Sequence, residues 1–134
     1  MIVLDEHLNA ESLKAAIARW YPGQVTFIKK LRLKTLIDDD AIPSLLQQVK
    51  QPTFVAINWT DFWKVMPADN HFCIICFTME IEEVAEISAL LRQVLKLARF
   101  KTKNSRMGLV VRVTKNLVQY YRVNDPQIYT LKFN

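Results

Sequence analysis

The stretch TFVAIN, residues 53–58, decides the fold. It is apolar at nearly every position, and it begins directly after Pro52, which closes a predicted helix. A strand without polar alternation is typically buried on both faces, as in a parallel sheet covered by helices. The stretch therefore predicts a central strand of a largely parallel sheet, and so an α/β protein.

Alternating strand and helix patterns extend this prediction in both directions. Strands are predicted at residues 1–5, 25–28, 72–77, 109–113 and 117–123, with residues 129–133 as a last edge strand or a docked tail. Helices are predicted at about 10–20 with Asn9 as N-cap, from Asp38–Asp40 to about Lys50, and at about 80–99. Asp125-Pro126 is predicted to end the last strand pair. This order predicts an α/β sandwich with a C-terminal hairpin.

Length and composition place the chain in a broad class. With 134 residues, the chain is expected to form one domain, residues 1–134. No apolar run reaches the roughly 20 residues that a membrane span needs, and the acidic start of the sequence is unlike a secretory signal. A cytoplasmic location and no membrane partner are therefore expected. Only two glycines occur, which excludes a glycine-rich phosphate loop or dinucleotide-binding turn.

The two cysteines lie three residues apart, at Cys73 and Cys76, within a predicted strand. Side chains alternate along a strand, so these two thiols are expected on opposite faces of the sheet. No second cysteine–histidine pair completes a tetrahedral zinc site. The spacing therefore favours two buried free thiols over a metal or redox site.

Charge is distributed unevenly along the chain. Residues 1–86 contain 8 basic and 12 acidic residues, a charge of −4, whereas residues 87–134 contain 10 basic residues and one acid, Asp125, a charge of +9. An acidic part beside a basic part suits a polyanion held near a carboxylate cluster. A solvated basic surface, or one that faces an acidic protein, explains the same pattern.

Acidic residues follow the predicted parallel strands. Asp5 follows the first strand, Asn58 and Asp61 follow the third, and Asp38–Asp40 begin the helix before it. Ligands of open parallel sheets bind at the carboxyl ends of the strands, and oxygen ligands converging there suit Mg²⁺ or Mn²⁺. Asp5, Asp39 and Asp61 are therefore expected within about 10 Å of one another. Turn and helix capping explains the same aspartates without a metal.

Three motifs in this order resemble a PIN-like family, the small predicted-nuclease branch related to the PIN-domain toxins of bacterial toxin–antitoxin pairs. They are LDEHL at residues 4–8, DDAI at 39–42 and FVAINWTDF at 54–62. The resemblance covers residues 1 to about 78. It implies a three-layer α/β/α PIN-like sandwich and a Mg²⁺- or Mn²⁺-dependent endoribonuclease, the toxin-like component of a toxin–antitoxin pair.

The resemblance also implies roles for particular residues. Asp5 and Asp39 match acids of the family's catalytic and metal-binding cluster, and Asp61 matches a more peripheral acid. Asn58 or Asp61 could substitute for a missing ligand after a local shift, although neither stands at the family's position. Trp59 stands where the family has a metal-binding aspartate, so the acidic site is partly degraded.

Other side chains are candidates for binding nucleic acid. Phosphate contacts are expected from Lys101, Lys103, Arg106, Arg112, Lys115 and Arg122, which should form one patch accessible from the acidic edge. Trp59 and Trp63 could stack on bases, although core packing or a lid over the sheet edge is the more common case. His7, beside two acids, is a candidate proton shuttle or ligand, although a simple turn residue is the more common case.

Two functions follow from the sequence. The first is the metal-dependent ribonuclease just described, with RNA as substrate and an antitoxin-like protein as partner. The second is a binding module on the same fold with a lapsed site, acting through nucleic-acid or protein contacts. Either form could act as a homodimer.

Overall fold

The computed structural model describes residues 1–31, 41–57, 63, 66–78, 81 and 84–132. Its core is a seven-stranded sheet in the order β2-β1-β3-β4-β5-β6-β7. The strands are β1 Ile2–Leu4, β2 Val25–Phe27, β3 Thr53–Ile57, β4 Cys73–Phe77, β5 Leu109–Val113, β6 Leu117–Arg122 and β7 Asp125–Lys132. The strands from β2 to β5 are parallel, and β6 and β7 continue the sheet antiparallel. The predicted α/β class with a mostly parallel sheet and a C-terminal hairpin is confirmed.

Helices cover both faces of the sheet. They are α1 Glu11–Ala18, α2 Ile42–Leu46, α3 Val84–Lys96 and α4 Lys103–Arg106, with short 3-10 helices at Glu6–Leu8, Ile28–Lys30 and Ala98–Phe100. The apolar sides of α1 and α3 bury Leu13, Ile17 and Leu91 against one face. On the other face α2 buries Ile42 and Leu46. Burial of these helix faces stabilises the layered arrangement, because apolar side chains leave water on both sides of the sheet.

The central strands are buried as their composition predicts. Every residue of β4 is buried, and in β3 all but Ile57 are. Cys73 belongs to the core beneath α1 and α3, whereas Cys76 belongs to the core beneath α2. Neither cysteine forms a disulfide, and the two thiols are buried on opposite faces, as predicted.

Three element predictions differ from the structure. Helix α1 begins at Glu11 with Ala10 as N-cap, so Asn9 does not cap it. Residues 101–106, for which the sequence predicted neither helix nor strand, contain α4, because Thr102 and Ser105 form reciprocal side-chain to backbone capping bonds. Asp125-Pro126 begins β7 instead of ending the sheet, because Asn124 turns the chain with a φ of 59°.

The two ends of the parallel strands define two edges of the sheet. At the amino edge Thr53 N donates to Met1 O, Cys73 N to Pro52 O, and Gly108 N to Phe72 O. At the carboxyl edge Asp5 N donates to Val55 O and Thr78 N to Val113 O. Each connection between parallel strands leaves one strand at the carboxyl edge and enters the next strand at the amino edge. Residues that directly follow a parallel strand therefore lie at the carboxyl edge, and residues that directly precede one lie at the amino edge.

Candidate functional site

Asp5 lies at the carboxyl edge, directly after β1. It is 8% exposed, and its carboxylate oxygen Oδ2 lies 3.2 Å from Nδ1 of His7. His7 itself is in the 3-10 helix Glu6–Leu8, with 79% of its side chain exposed. An ionisable group that is buried at a ligand-binding edge needs partners, and His7 supplies one of them.

The other predicted metal ligands, Asp39, Asn58 and Asp61, lie outside the described residues, as does Trp59. Their predicted convergence on Asp5 therefore stays a prediction. Within the part of the chain that the structure describes, no group of three or more histidine, cysteine, aspartate or glutamate side chains is placed to hold a metal ion. Asp5 and His7 alone are too few ligands for Mg²⁺ or Mn²⁺.

The basic residues do not form the single patch that the sequence predicted. Lys101, Lys103 and Arg106 precede β5, so they lie at the amino edge. Arg122 pairs with Leu109, the first residue of β5, and lies toward that same edge. Arg112 and Lys115 lie near and after the end of β5, on the carboxyl side. The predicted access of residues 101–106 from the acidic edge is wrong, because the sheet separates the two groups.

Arg106 is a further correction, because it is 2% exposed and does not face a ligand from solvent. Its Nε donates to Thr53 Oγ1 at 3.0 Å and its Nη1 to Phe100 O at 2.9 Å. A longer bond of 3.5 Å reaches Lys101 O. The guanidinium therefore holds α4 and the preceding turn against the start of β3, which is a structural role.

Arg112 is half-buried near the carboxyl edge, on the face covered by α2. Its guanidinium lies 5.7 Å from the centre of the Trp63 ring, a cation–π contact. Trp63 also packs against Tyr121, with ring centres 5.2 Å apart, and Tyr121 donates to Met66 O. These contacts assign Trp63 a packing role, one of the two alternatives that its sequence position left open.

A basic surface at the amino edge joins the predicted residues Lys101 and Lys103 to cations that the sequence analysis missed. A cavity of about 530 Å³ lies at the amino edge, and a second of about 430 Å³ adjoins it between α1 and α3. The two cavities share Trp20, Arg92 and Lys96 in their linings, so they adjoin, and we call them together the basic groove. Its basic residues are Arg19, Arg92, Lys96, Lys101, Lys103 and Arg106.

Positive charge dominates the basic groove. Among the described residues that line it there are six cations and no carboxylate, and all of the cations but Arg106 are exposed. None of those five exposed cations forms an ion pair within the described part of the chain. Burial, followed by the charges of Lys103 and Arg106, lowers the pKa of the Met1 amino group at the same edge. The groove is therefore a site of positive potential without internal neutralisation.

The sequence carried one signal for this groove. Arg92 and Lys96 are four residues apart, which places both on one side of α3. Arg19 joins them only because α1 packs beside α3, and that packing is not a local property of the sequence.

Comparisons with protein-family models, with curated proteins and with solved structures gave no match. None of the helices in the described part of the chain has the length and apolar character to cross a membrane.

Proposed function

We propose that this chain is a nucleic-acid-binding protein that holds a phosphate backbone in the basic groove. The observation that carries the proposal is the set of five exposed cations along two adjoining cavities, with no carboxylate among the described residues that line them. Lys and Arg side chains that neutralise phosphates release condensed counterions, which gives affinity independent of sequence. This is the binding-module function on the α/β fold.

The groove suits nucleic acid better than an acidic protein. Its wall contains the rings of Trp20 and Tyr21 beside the cations. Nucleic acids present both phosphates and flat aromatic bases, which cations and rings bind respectively. An acidic peptide offers the charges, but it meets those rings only where it also carries aromatic or apolar side chains, whereas every nucleotide has a base.

The proposal is tested by the salt dependence of binding. Fluorescence anisotropy with a labelled strand of about 10 nucleotides, from about 50 to 200 mM KCl, should show a steep loss of affinity. If the five exposed cations contact phosphates, the slope of log K against log salt is about −3.5. A slope near zero, or tighter binding of an acidic peptide than of the strand, would favour a protein partner.

A matched pair of double variants locates the site. Arg92→Gln with Lys96→Gln should reduce the magnitude of the slope by about 1.4, because two phosphate contacts are lost. Lys29→Gln with Lys30→Gln removes the same charge from exposed positions after β2, at the carboxyl edge, and should leave the slope nearly unchanged. Equal effects of the two pairs would count against the groove and for a diffuse attraction.

A second candidate function belongs to the carboxyl edge. The burial of Asp5 after β1, together with the resemblance of LDEHL, DDAI and FVAINWTDF to PIN-like proteins, favours a metal-dependent endoribonuclease with a toxin-like role. In that reading Asp39, Asn58 and Asp61 supply the remaining oxygen ligands for Mg²⁺ or Mn²⁺, which would activate water. The basic groove would then hold RNA away from the reaction centre, at the opposite edge.

This second function has its own test. Wild-type protein with Mn²⁺ should cleave single-stranded RNA weakly, because Trp59 replaces an acid of the family. Asp5→Asn, which removes one charge at nearly constant volume, should abolish cleavage without lowering the melting temperature by more than a few degrees. RNA left intact by a folded wild-type protein that binds Mn²⁺ would leave only the binding function.

A further inference from the structure

The wide end of the basic groove contains an aromatic corner, formed by Trp20 and Tyr21. The centres of the two rings are 6.1 Å apart and their planes meet at 79°. Trp20 Nε1 donates to Ser88 Oγ at 2.9 Å, which ties the indole to α3. Because that donor is already used, the indole offers its ring surface and not a hydrogen bond to a ligand.

Gly23 supports the second ring of the corner. A Cβ atom at this position would lie 2.7 Å from Cε2 of Tyr21, closer than side chains tolerate. The absence of a side chain therefore lets the Tyr21 ring lie against the Pro22–Gly23 turn. The ring orientation is set by the turn on one side and by Trp20 on the other.

Cations stand beside the corner in the same cavity. Lys101 and Lys103 are exposed, and α4, which begins at Lys103, is fixed to the sheet by the buried Arg106. A cavity of about 530 Å³ is in the usual size range of small-ligand sites. It therefore has room for one nucleotide, with a flat surface for the base and positive charge for its phosphate.

We propose that this cavity holds one unstacked nucleotide of a single-stranded nucleic acid, its base against the Tyr21–Trp20 corner and its phosphate beside Lys101 and Lys103. The inference rests on the proposed function of the basic groove. A base inside a duplex is stacked on both sides and cannot reach a ring within a concave cavity, whereas an unpaired base can. The cavity therefore favours single strands over duplexes, whereas the positive charge of the groove attracts both.

The experiment compares three labelled probes: a single-stranded RNA of about 10 nucleotides, the DNA of the same sequence, and the corresponding duplex. Wild-type protein should bind both single strands about tenfold or more tightly than the duplex, because stacking on an aromatic ring adds to the phosphate contacts. Similar affinity for the two single strands would indicate recognition of bases and phosphates. A preference for RNA would indicate an added contact to the 2′-hydroxyl.

Variants of Tyr21 separate ring stacking from charge. Tyr21→Leu should lower single-strand affinity about tenfold and leave duplex affinity unchanged, whereas Tyr21→Phe keeps the ring and should bind like the wild type. Gly23→Ala should reproduce part of the loss by displacing the ring. Melting temperatures of all variants are measured alongside, and quenching of tryptophan fluorescence by the single strand, but not by the duplex, tests the wild-type protein directly.

The outcomes distinguish this inference from the proposed function. The nucleotide cavity is overturned if Tyr21→Leu binds the single strand as tightly as the wild type does, and if the wild type binds the duplex as tightly as the single strand. The groove still stands in that case if Arg92→Gln with Lys96→Gln weakens binding. If the Arg92 and Lys96 variant has no effect either, the groove itself fails.

Discussion

Arg106 shows how far a single residue can depart from its usual place. Arginine is mostly an exposed residue, and the composition of residues 101–106 favours a solvated basic loop. In the fold its hydrogen-bond partner Thr53 is 53 positions away in the sequence. No local pattern contains that contact, so the burial of Arg106 could not be predicted from the chain around it.

Replacing Arg106 should therefore lower the stability of the folded protein, in addition to any effect on the binding of nucleic acid. Arg106→Ala removes a buried guanidinium and leaves Thr53 Oγ1 and Phe100 O without their donor, so we expect a loss of about 3 kcal/mol in the free energy of unfolding. Urea denaturation followed by circular dichroism measures this. Lys103→Ala, an exposed change in the same helix, should cost no more than about 0.5 kcal/mol. Equal losses in the two variants would show that Arg106 has no special structural role.

Cys73 offers a second test at the residue scale. Burial is the main cause that raises the pKa of its thiol to about 12, against the lowering effect of Arg106 and then Arg99. The thiolate is the reactive form, so the native protein should resist iodoacetamide at pH 8. In urea two alkylations per chain are expected by mass spectrometry, from Cys73 and Cys76. Rapid labelling of folded protein would contradict the buried position.

At the scale of elements, the C-terminal hairpin is held by a cluster of polar side chains. Arg122 Nε donates to Asp125 Oδ2 at 2.9 Å, and the Tyr129 hydroxyl donates to the same oxygen at 2.7 Å. The Arg122 guanidinium also lies over the Tyr129 ring, 5.2 Å from its centre. The contacts join the end of β6 to both the start and the middle of β7.

This cluster predicts a pH dependence of hairpin stability. Hydrogen bonds from Gln127 N, the Tyr129 hydroxyl and Arg122, in that order, lower the pKa of Asp125 to about 2. A depressed pKa in the folded state stabilises the fold above the ordinary aspartate value near 3.8, and this contribution is lost as the pH falls through about 2. An NMR titration of the Asp125 carboxyl should give a midpoint near 2.

Asp125→Asn is the control for that titration. The variant lacks the ionisable group, so its stability should change less than that of the wild type between pH 4 and pH 2. A wild-type midpoint close to 3.8, or identical pH profiles for the two proteins, would show that the cluster does not form in solution.

Elements were predictable where apolar composition alone determines them. The stretches around β3 and β4 are apolar on both faces, so their central position follows from the sequence. The eight-residue β7 was predicted only in part, because its exposed and half-buried positions alternate irregularly and Asp125-Pro126 is typical of a turn. The basic groove could not be predicted from the sequence, because it forms only where α1 and α3 pack side by side.

At the scale of the whole molecule, the polarity of the parallel sheet separates two sets of charges. Asp5 lies at the carboxyl edge and the widest part of the basic groove at the amino edge, so the strands themselves stand between them. The uneven charge of the sequence was interpreted as an acidic part beside a basic part. It could not indicate that they face apart, because that depends on which edge each loop occupies.

The separation predicts that functions of the two edges vary independently. Asp5→Asn should leave the affinity for single-stranded nucleic acid within about twofold, because the strands separate it from the widest part of the groove and salt screens charges at a distance. Arg92→Gln with Lys96→Gln should in turn leave binding of Mn²⁺ unchanged, as measured by calorimetry. Strong coupling in the double-mutant cycle would indicate one continuous site in place of two.

The unequal strands at the two sides of the sheet limit how copies of this chain can associate. β7 is eight residues long, and β2, at the opposite side, has three. Within the described residues neither has a further strand on its outer side. An exposed strand is a template for another chain, but growth into a fibre needs a comparable template on both sides of each copy. A three-residue strand offers little pairing, so recruitment through β7 stops at two molecules, and concentrated protein should form dimers before it forms extended sheets.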